Sequence, residues 1–458
     1  MTKNILFLTI DGLRSDKFFG DTKTSHTPFM DSLSKQGTYF EQAVSCADGT
    51  TLSLNAIFSG YFPFRTGTRA GEVQMNKSNL LYVLKNSGYH IYGITHDLNS
   101  LARLRFNFEN RIKSFYCAPP KIQRLDEGTG KLIVDLLAKE KMKEPWFCYL
   151  HPMDLHDPLI VPENFTANKF GNNKYEKVLS SIDVWIKRIF EEIDLDNTLV
   201  VITADHGSII PEGDVGFSDF EPSFDKGLKI GKKVMPSSTH KIGAKMITGI
   251  KNKIREKRLK KANEGLTSYQ KRSRLPYFRL TLFDEAIRIP LLFIGKNIPK
   301  NKIVSSQVCN LDIFPTLLDL VNIHDNVRRD GRTLADVFSG KKIQENNIFL
   351  HTIPYDEKSV HDKIGIRTSH YKYFRQARSK SEKINLYDLH EDPLENNNIA
   401  NENPEIILEM EEVLRDMTQD SIIENMDSMN DEQLKKIQDE LRLLGYKKTW
   451  KENQERTN

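Results

Sequence analysis

The hydrophobic pattern of the chain consists of short, continuously apolar runs separated by longer segments with helical periodicity. Runs without polar alternation are typical of strands that are buried on both faces of a sheet. Such runs occupy residues 5–10, 146–150, 199–203 and 289–294. Helix-like segments occupy residues 28–37, 51–58, 79–87 and 175–193. The alternation predicts an α/β fold in which helices sandwich a mostly parallel sheet.

The pattern changes in three parts of the chain. Residues 226–279 lack strand patterning, carry apolar side chains at helical spacing, and are interpreted as an insertion in a main domain of residues 1–345. Residues 346–403 contain short strand-like runs, which predict a small C-terminal antiparallel α+β subdomain. Residues 404–458 are expected to form a helical, highly charged tail.

Basic residues are distributed unevenly along the chain. The whole chain carries a net charge of +4, whereas residues 226–279 hold 17 Lys/Arg against two acids, a local net charge of +15. This segment is either a solvated charged excursion or a positive rim that contacts an anionic membrane surface or another polyanion. It contains no recognisable nucleic-acid-binding module, which disfavours nucleic acid as a partner.

The N-terminal region favours a cytoplasmic location. The apolar run at residues 5–10 is too short for the hydrophobic core of a signal peptide, and the acidic Asp11 follows it directly. No stretch of the chain approaches the ~20 apolar residues that a transmembrane helix requires. The four cysteines show no metal-type spacing and are expected to be thiols rather than disulfides.

Candidate metal ligands follow two of the predicted strands. Asp11 comes directly after the first run, and the pair Asp205-His206 follows the run at residues 199–203. Sites in open parallel sheets form at the carboxyl ends of strands, and carboxylates with an imidazole suit a divalent cation. The alternative for each aspartate is a helix cap or a turn, with His206 as a bystander.

Thr50 is a candidate nucleophile between these two sites. Small polar residues at 48–51 lead into an apolar helical run, so Thr50 is expected at a helix N-terminus, where the helix dipole favours an anionic group. A metal-bound hydroxyl there could be deprotonated and attack phosphorus or sulfur. The alternative is that Thr50 or Thr51 only caps the helix.

Ten segments match the motifs of one enzyme family in the same order. They are residues 4–16, 26–33, 58–63, 65–67, 154–158, 203–207, 281–291, 311–317, 386–395 and 441–446. On these segments the chain resembles the sulfatase family of the alkaline phosphatase superfamily. The resemblance implies an alkaline-phosphatase-like sheet, a sulfatase-like catalytic domain over residues 1–345, and an anionic phosphate- or sulfate-ester substrate.

The chain departs from this family at its nucleophile. Sulfatases carry Cys-x-Pro-Ser-Arg, in which the Cys or a Ser becomes formylglycine, and that position falls on Thr50. Only Ser53 of the signature is present, and Thr cannot be converted to formylglycine. The family's paired aspartates are reduced to Asp11-Gly12. These departures resemble the phosphoethanolamine and phosphoglycerol transferase branch, which uses a metal-bound Thr.

That resemblance implies one divalent metal ion and a double displacement. The implied metal ligands are Asp11, Thr50, Asp205 and His206. Mn²⁺, Zn²⁺ or Mg²⁺ is expected, and Ca²⁺ is less natural because His206 is not an oxygen ligand. Thr50 would form a covalent phospho-enzyme, which water or an acceptor alcohol then resolves.

Three further residues receive roles from the resemblance. His156 matches the family's histidine at the substrate or leaving group, and is a catalytic candidate. His96 and Arg279 are substrate-binding candidates, because they stand where the family has a histidine and a lysine near the anion. Two other functions stay open, namely sulfuric ester hydrolysis without formylglycine and non-catalytic binding of anions.

Overall fold

The fold comes from a computed structural model. It describes residues 3–68, 72–75, 78–110, 123–138, 141–220, 222, 240–274, 281–352, 362–377 and 384–419.

A seven-stranded sheet forms the centre of the catalytic region. Its strands are β1 (Asn4–Thr9), β2 (Gly37–Val44), β3 (His90–Ile94), β4 (Trp146–Leu150), β5 (Thr198–Thr203), β6 (Leu291–Ile294) and β7 (Lys302–Cys309), in the order β3-β4-β1-β5-β6-β2-β7. Only β6 runs antiparallel to its neighbours. The predicted mostly parallel α/β sheet is therefore confirmed.

The apolar runs in the sequence correspond to the central strands. All residues of β1, β4 and β5 are buried, as expected for strands covered on both faces. The three strands are adjacent and parallel, with Thr9 paired to Thr203 and Leu8 paired to Leu150. Their carboxyl ends therefore meet at one edge of the sheet.

Helices of very different length connect these strands. They are α1 (Ser15–Phe18), α2 (Pro28–Ser34), α3 (Thr50–Ser59), α4 (Pro63–Thr66), α5 (Leu80–Asn86), α6 (Ala102–Arg105), α7 (Gly130–Leu137), α8 (Lys174–Glu191), α9 (His240–Ala262), α10 (Ser268–Arg272), α11 (Asp284–Ile287), α12 (Ile313–Leu320), α13 (Ala335–Phe338) and α14 (Pro404–Thr418). Single turns of 3-10 or π helix complete the connections, at Asn99–Leu101, Leu125–Thr129, Glu163–Phe165, Asn168–Phe170, Glu212–Asp214, Phe217–Phe220 and Asn310–Asp312.

Helix α3 is packed against the centre of the sheet. The ring of Phe58 contacts those of Phe7 on β1 and Tyr149 on β4, with centroids 6.1 and 5.1 Å apart. Every residue of α3 after the first is buried. Packing on this scale fixes the axis of α3, and therefore the position of Thr50 at its N-terminus.

A second, four-stranded antiparallel sheet follows the catalytic region. Its strands are β8 (Ile348–His351), β9 (Lys363–Arg367), β10 (Tyr371–Gln376) and β11 (Asn385–Asp388), in the order β11-β10-β9-β8. Met410 and Leu414 of α14 are buried in the core that this sheet forms. The expected small C-terminal antiparallel subdomain is confirmed, although the predicted domain limits at 345 and 403 stay predictions.

The chain divides into two compact units, which comprise residues 1–208 with 280–393 and 398–458, and residues 209–279 with 394–397. The second unit begins before residue 226, where the sequence pattern placed the start of the insertion. It contains α9, in agreement with the helical spacing there, and Arg272 donates to the backbone carbonyls of Leu394 and Glu395. In the described part of the chain, no helix has both the length and the apolar character of a membrane span.

Candidate active site

Three buried side chains converge at the carboxyl ends of the central strands. Asp11 and Asp205 each lie two residues beyond their strands, and His151 directly follows β4. Nε2 of His151 lies 4.0 Å from Oδ1 of Asp11 and 3.9 Å from Oδ2 of Asp205. The side chains are at most 2% exposed. Among the described residues, this is the one group of at least three His, Cys, Asp or Glu ligand atoms that lie within 4.8 Å of one another.

The donor atoms of this group fit a cation. Nε2 of His151 and Oδ2 of Asp205 are buried and have no hydrogen-bond partner among the described residues. Buried polar atoms are nearly always paired, so two ligand atoms without a partner that face each other fit a positive ion bound between them. Nε2 of His206 lies 3.6 Å from the same oxygen of Asp205 and extends the donor set.

The backbone fixes the orientation of the Asp205 carboxylate. Its Oδ1 accepts hydrogen bonds from the N–H groups of Gly12 and His206, at 3.2 and 2.9 Å. Gly12 has a φ of +64°, and its carbonyl accepts from the hydroxyl of Tyr175 at 2.8 Å. With Oδ1 held by two N–H donors, Oδ2 is directed at the metal-ligand cluster.

Thr50 is the first residue of α3, and its hydroxyl points into the site rather than toward the backbone N–H groups of the helix. It donates to Oδ1 of Asp11 at 3.2 Å and lies 3.3 Å from Nε2 of His206. The N-cap of α3 is Gly49, and no side chain caps the helix. The capping alternative for Thr50 therefore does not describe this structure. The sequence had left that choice open.

The tautomer of His206 follows from its neighbours. Its Nδ1 lies 2.6 Å from the carbonyl oxygen of Gly207, which can only accept a hydrogen bond, so Nδ1 carries the proton. In the neutral ring, Nε2 then presents a lone pair toward Thr50 and Asp205. This is the form of histidine that a metal requires.

The charges of the site act on one another strongly. Burial and the neighbouring Asp205 carboxylate raise the pKa of Asp11. Burial alone would raise the pKa of Asp205 too, but His206 and His151 outweigh it and lower that pKa. Burial opposes the charged form of His206, yet Asp205 and Asp11 raise its pKa overall. Perturbed groups packed this closely are typical of a functional site.

Comparison with known proteins assigns the chain to a family. The family model described as "Sulfatase" matches residues 3–323, which is more than half of the chain. The chain belongs to the sulfatase family. A second sulfatase-family model, "N-sulphoglucosamine sulphohydrolase, C-terminal", matches residues 277–421. The resemblance stated from the motifs is thereby confirmed, together with membership of the alkaline phosphatase superfamily.

Individual sulfatases are distant relatives of this chain. Arylsulfatase K of Mus musculus is 30% identical over 145 residues, which cover 30% of this chain and only 26% of the mouse protein. A Δ4,5-hexuronate-2-O-sulfatase of Bacteroides thetaiotaomicron is 21% identical over 87% of this chain and 84% of its own length. The match to arylsulfatase K, in contrast, spans only about a quarter of that protein.

Solved structures in this superfamily share the fold. A 2-O GAG sulfatase superimposes with a TM-score of 0.63 at 18% identity, over 91% of this chain and 92% of its own. The phosphonate monoester hydrolase of Agrobacterium radiobacter gives the same TM-score of 0.63 at 14% identity, over 91% and 95% of the two chains. The fold thus accommodates both kinds of named enzyme and does not by itself decide between sulfur and phosphorus chemistry.

The other residues that the sulfatase motifs suggested are His156, His96 and Arg279. His156 is 8% exposed and donates from Nδ1 to the carbonyl of Asp157 at 2.8 Å. His96 donates from Nε2 to the carbonyl of Gln123 at 2.9 Å, and burial lowers its pKa to about 4. His96 is therefore neutral at neutral pH and offers an anion no positive charge. Its substrate-binding role stays a prediction, and Arg279 lies outside the described residues.

Asp154, which stands in a family motif after β4, is also buried. Its Oδ1 accepts from the N–H of Leu125 at 2.9 Å, and burial raises its pKa to about 7. Asp154 is not part of the cluster of Asp11, His151 and Asp205. The expectation of one metal stays a prediction.

Sequence reasoning overlooked His151. The signal was present, because His151 directly follows an apolar run and the carboxyl ends of such runs were the expected place for ligands. Asp11 and Asp205 stand in family motifs, whereas His151 does not, and its neighbours Leu150 and Pro152 give it no recognisable pattern.

Proposed function

We propose that this sulfatase-family enzyme acts on phosphate esters, as a hydrolase or phosphotransferase, with Thr50 as its nucleophile. The observation that carries the proposal is the Thr50 hydroxyl, which lies within 3.3 Å of both Asp11 and His206 at the start of α3. It occupies the position of the family's formylglycine, which Thr cannot form. An unmodified hydroxyl in such a site is suited to attack phosphorus.

Asp11, Thr50, Asp205 and His206 would hold one divalent cation, which when bound supplies positive charge against the anionic ester. The hydrogen bond from Thr50 directs its proton to Oδ1 of Asp11. The hydroxyl oxygen is then free to approach the phosphorus. The positive N-terminal end of α3 favours the phosphoryl oxygens next to it.

The reaction would proceed in two balanced steps. Oγ1 of Thr50 forms a bond to phosphorus while the bond from phosphorus to the leaving oxygen breaks, which yields phospho-Thr50 and an alcohol. His156 would protonate the leaving oxygen. Because Nδ1 of His156 is committed to the Asp157 carbonyl, that proton would be exchanged at Nε2. In the second step the oxygen of water or an acceptor alcohol would form a bond to phosphorus while the bond to Oγ1 of Thr50 breaks; its proton would pass to His156, and Thr50 would regain a proton from Asp11.

Turnover of three chromogenic esters by the full, metal-loaded chain tests this proposal. The substrates are 4-nitrophenyl phosphate, bis(4-nitrophenyl) phosphate and 4-nitrophenyl sulfate. We expect a phosphate ester to be turned over fastest, and Thr50→Ala to reduce kcat/KM by about 10³-fold or more, as loss of a nucleophile does. Acid-quenched enzyme should contain phosphothreonine at position 50 by mass spectrometry. Thr51→Ser, one residue along the same helix, is the matched control and should retain most of the activity.

Three outcomes would contradict the proposal. Undiminished turnover by Thr50→Ala would remove Thr50 as the nucleophile. Faster turnover of the sulfate ester would favour the second candidate, sulfuric ester hydrolysis without formylglycine. That candidate draws support from the Δ4,5-hexuronate-2-O-sulfatase, whose likeness covers 87% of this chain. An enzyme that turns over none of these esters and binds no metal would favour non-catalytic anion binding.

We also propose that the basic segment 226–279 contacts an anionic surface or polyanion in the cytoplasm. Helix α9 lies in this segment and is rich in Lys and Arg, with Glu256 as its only acid. Positive charge of this density gathers anions by long-range attraction. Co-sedimentation with vesicles that contain phosphatidylserine, at low and high salt, tests the contact, and binding that does not depend on salt would contradict it.

A further inference from the structure

His151 has the geometry of a metal ligand rather than of a structural histidine. Its side chain is fully buried, and its Nε2 has no hydrogen-bond partner among the described residues. Two ligand atoms on one cation, each about 2.0–2.2 Å from it, are at most about 4.4 Å apart. The distances of 4.0 and 3.9 Å from Nε2 to Asp11 and Asp205 are within that limit.

The surrounding structure aims Nε2 at the two carboxylates. Nδ1 of His151 lies 3.1 Å from the hydroxyl of Tyr149, and the backbone N–H of His151 donates to Ile94 at 3.0 Å. The Tyr149 ring is fully buried between Phe7 and Phe58, with centroids 5.5 and 5.1 Å away. A hydrogen bond on the far nitrogen fixes the tautomer and the ring orientation of a ligating histidine, and the Tyr149 hydroxyl can accept one from Nδ1 here.

The site lacks an oxygen ligand that its family has. Position 12 is glycine here, where the motif of the family has a second aspartate. A Cβ at Gly12 would lie 2.5 Å from Oγ of Ser208, and φ of +64° is strained for an L-residue. The fold therefore leaves no room for a side chain at position 12. The imidazole of His151, which follows β4, enters the site instead.

We propose that His151 is an additional ligand of the metal centre and makes the centre selective for metal ions that bind nitrogen ligands. The centre would then offer two imidazoles, His151 and His206, with the carboxylates of Asp11 and Asp205. Such a donor set favours Zn²⁺ or Mn²⁺ over Ca²⁺, which takes six to eight oxygen ligands. This inference rests on the metal centre of the proposed function, but not on the role of Thr50.

Metal binding, rather than activity, tests the inference. The full chain is stripped with a chelator, and Co²⁺ is added while its visible absorption is followed, with Zn²⁺, Mn²⁺ and Ca²⁺ as competitors. We expect wild type to bind Zn²⁺ far more tightly than Ca²⁺. His151→Ala should weaken Zn²⁺ binding about tenfold or more, by analogy with lost supporting ligands. His151→Asp should narrow the preference for Zn²⁺ over Ca²⁺.

A control separates loss of a ligand from loss of any buried imidazole. His351 lies outside the cluster on β8, where burial lowers its pKa to about 4, and His351→Ala should leave Zn²⁺ affinity unchanged. If His151→Ala fails to fold, X-ray absorption on the wild-type Zn²⁺ protein counts its imidazoles. Two imidazoles support the inference, and one overturns it.

The outcomes also separate this inference from the proposed function. Unchanged Zn²⁺ affinity in His151→Ala would overturn the role of His151, even if Thr50→Ala abolishes phosphate turnover. Weakened Zn²⁺ affinity together with full turnover by Thr50→Ala would leave His151 as a ligand and remove the Thr50 nucleophile.

Discussion

Replacing Asp284 with Asn is expected to destabilise the protein by about 3 kcal/mol, because the carboxylate neutralises two buried cations. Its Oδ1 accepts from Nε of Arg367 at 3.1 Å and from Nζ of Lys372 at 2.5 Å. Its Oδ2 accepts from Nη2 of Arg367 at 2.9 Å. The side chains of Arg367 and Lys372 are 3% and 0% exposed, so Asp284→Asn leaves both charges in the protein interior without this counter-ion.

The magnitude follows from the burial of this cluster. Removing one partner of a buried ion pair costs about 3–5 kcal/mol. The lower end applies here, since Asn keeps one acceptor oxygen and Arg367 also donates to the side chains of Gln307 and Gln42. The Asp284 side chain is itself 13% exposed, which admits some solvent screening.

The loss of stability in Asp284→Asn should also depend on pH in a definite direction. Burial alone would raise the pKa of Asp284, but Arg367 and Lys372 hold it far below its usual range. A depressed carboxyl pKa stabilises the fold above the pKa of the unfolded chain, about 3.9, and this contribution is lost as the pH falls below that value. The stability difference between wild type and Asp284→Asn should therefore be full near pH 7 and shrink below about pH 4.

Urea unfolding followed by circular dichroism at about pH 7 and about pH 3 measures this difference. The matched control is Asp336→Asn, because the pair of Asp336 and Lys341 is 60% and 67% exposed and should be worth about 0–1 kcal/mol. The reasoning fails if Asp284→Asn is within about 0.5 kcal/mol of wild type at pH 7, a change typical of an exposed site. It also fails if the difference grows as the pH falls.

Three further predictions concern residues near the metal centre. Tyr175→Phe removes the hydroxyl that donates to Gly12 and accepts from the Arg14 N–H at 2.9 Å, so it should cost about 1–3 kcal/mol in urea unfolding and lower kcat. Gly12→Ala should lower the thermal midpoint, because its Cβ meets Ser208, and Ser208→Gly in the same chain should restore part of the loss. Burial raises the pKa of Asp154 to about 7, so its ionisation destabilises the fold as the pH rises through that value. Asp154→Asn should therefore gain urea stability relative to wild type above pH 7, but not near pH 4.

The sequence predicts the centre of the sheet better than its edges. Strands β1, β4 and β5 are buried on both faces and appear as continuous apolar runs. Strands β3 and β7 are the two edges of the sheet, and four of the first five residues of β7, 302–306, are partly or fully exposed. An edge strand can carry polar side chains toward solvent, and so it lacks the continuous apolar signal by which the central strands were identified.

The sequence limits Thr50 to two roles, helix cap or nucleophile, but does not decide between them. Its position before an apolar helical run is equally expected of a capping residue and of a nucleophile. The distinction depends on where the hydroxyl points, which is set by the packing of Phe58 against the sheet at the far end of α3. In the structure, the hydroxyl reaches Asp11 and His206, on segments 39 and 156 residues away along the chain.

The metal ligands show why strand order matters more than sequence spacing. Asp11 and Asp205 each stand two residues beyond strands that pair with Thr9 opposite Thr203, so they reach the same level of the sheet. By the pairing of Leu8 with Leu150, His151 lies two residues lower than Asp11 but on the same side of the pleat. The imidazole spans that step, with Nε2 at 4.0 Å from Asp11 and 3.9 Å from Asp205. His151 is therefore present in the sequence as a possible ligand. Only the strand order β4-β1-β5 places it beside Asp11 and Asp205 at the edge of the sheet.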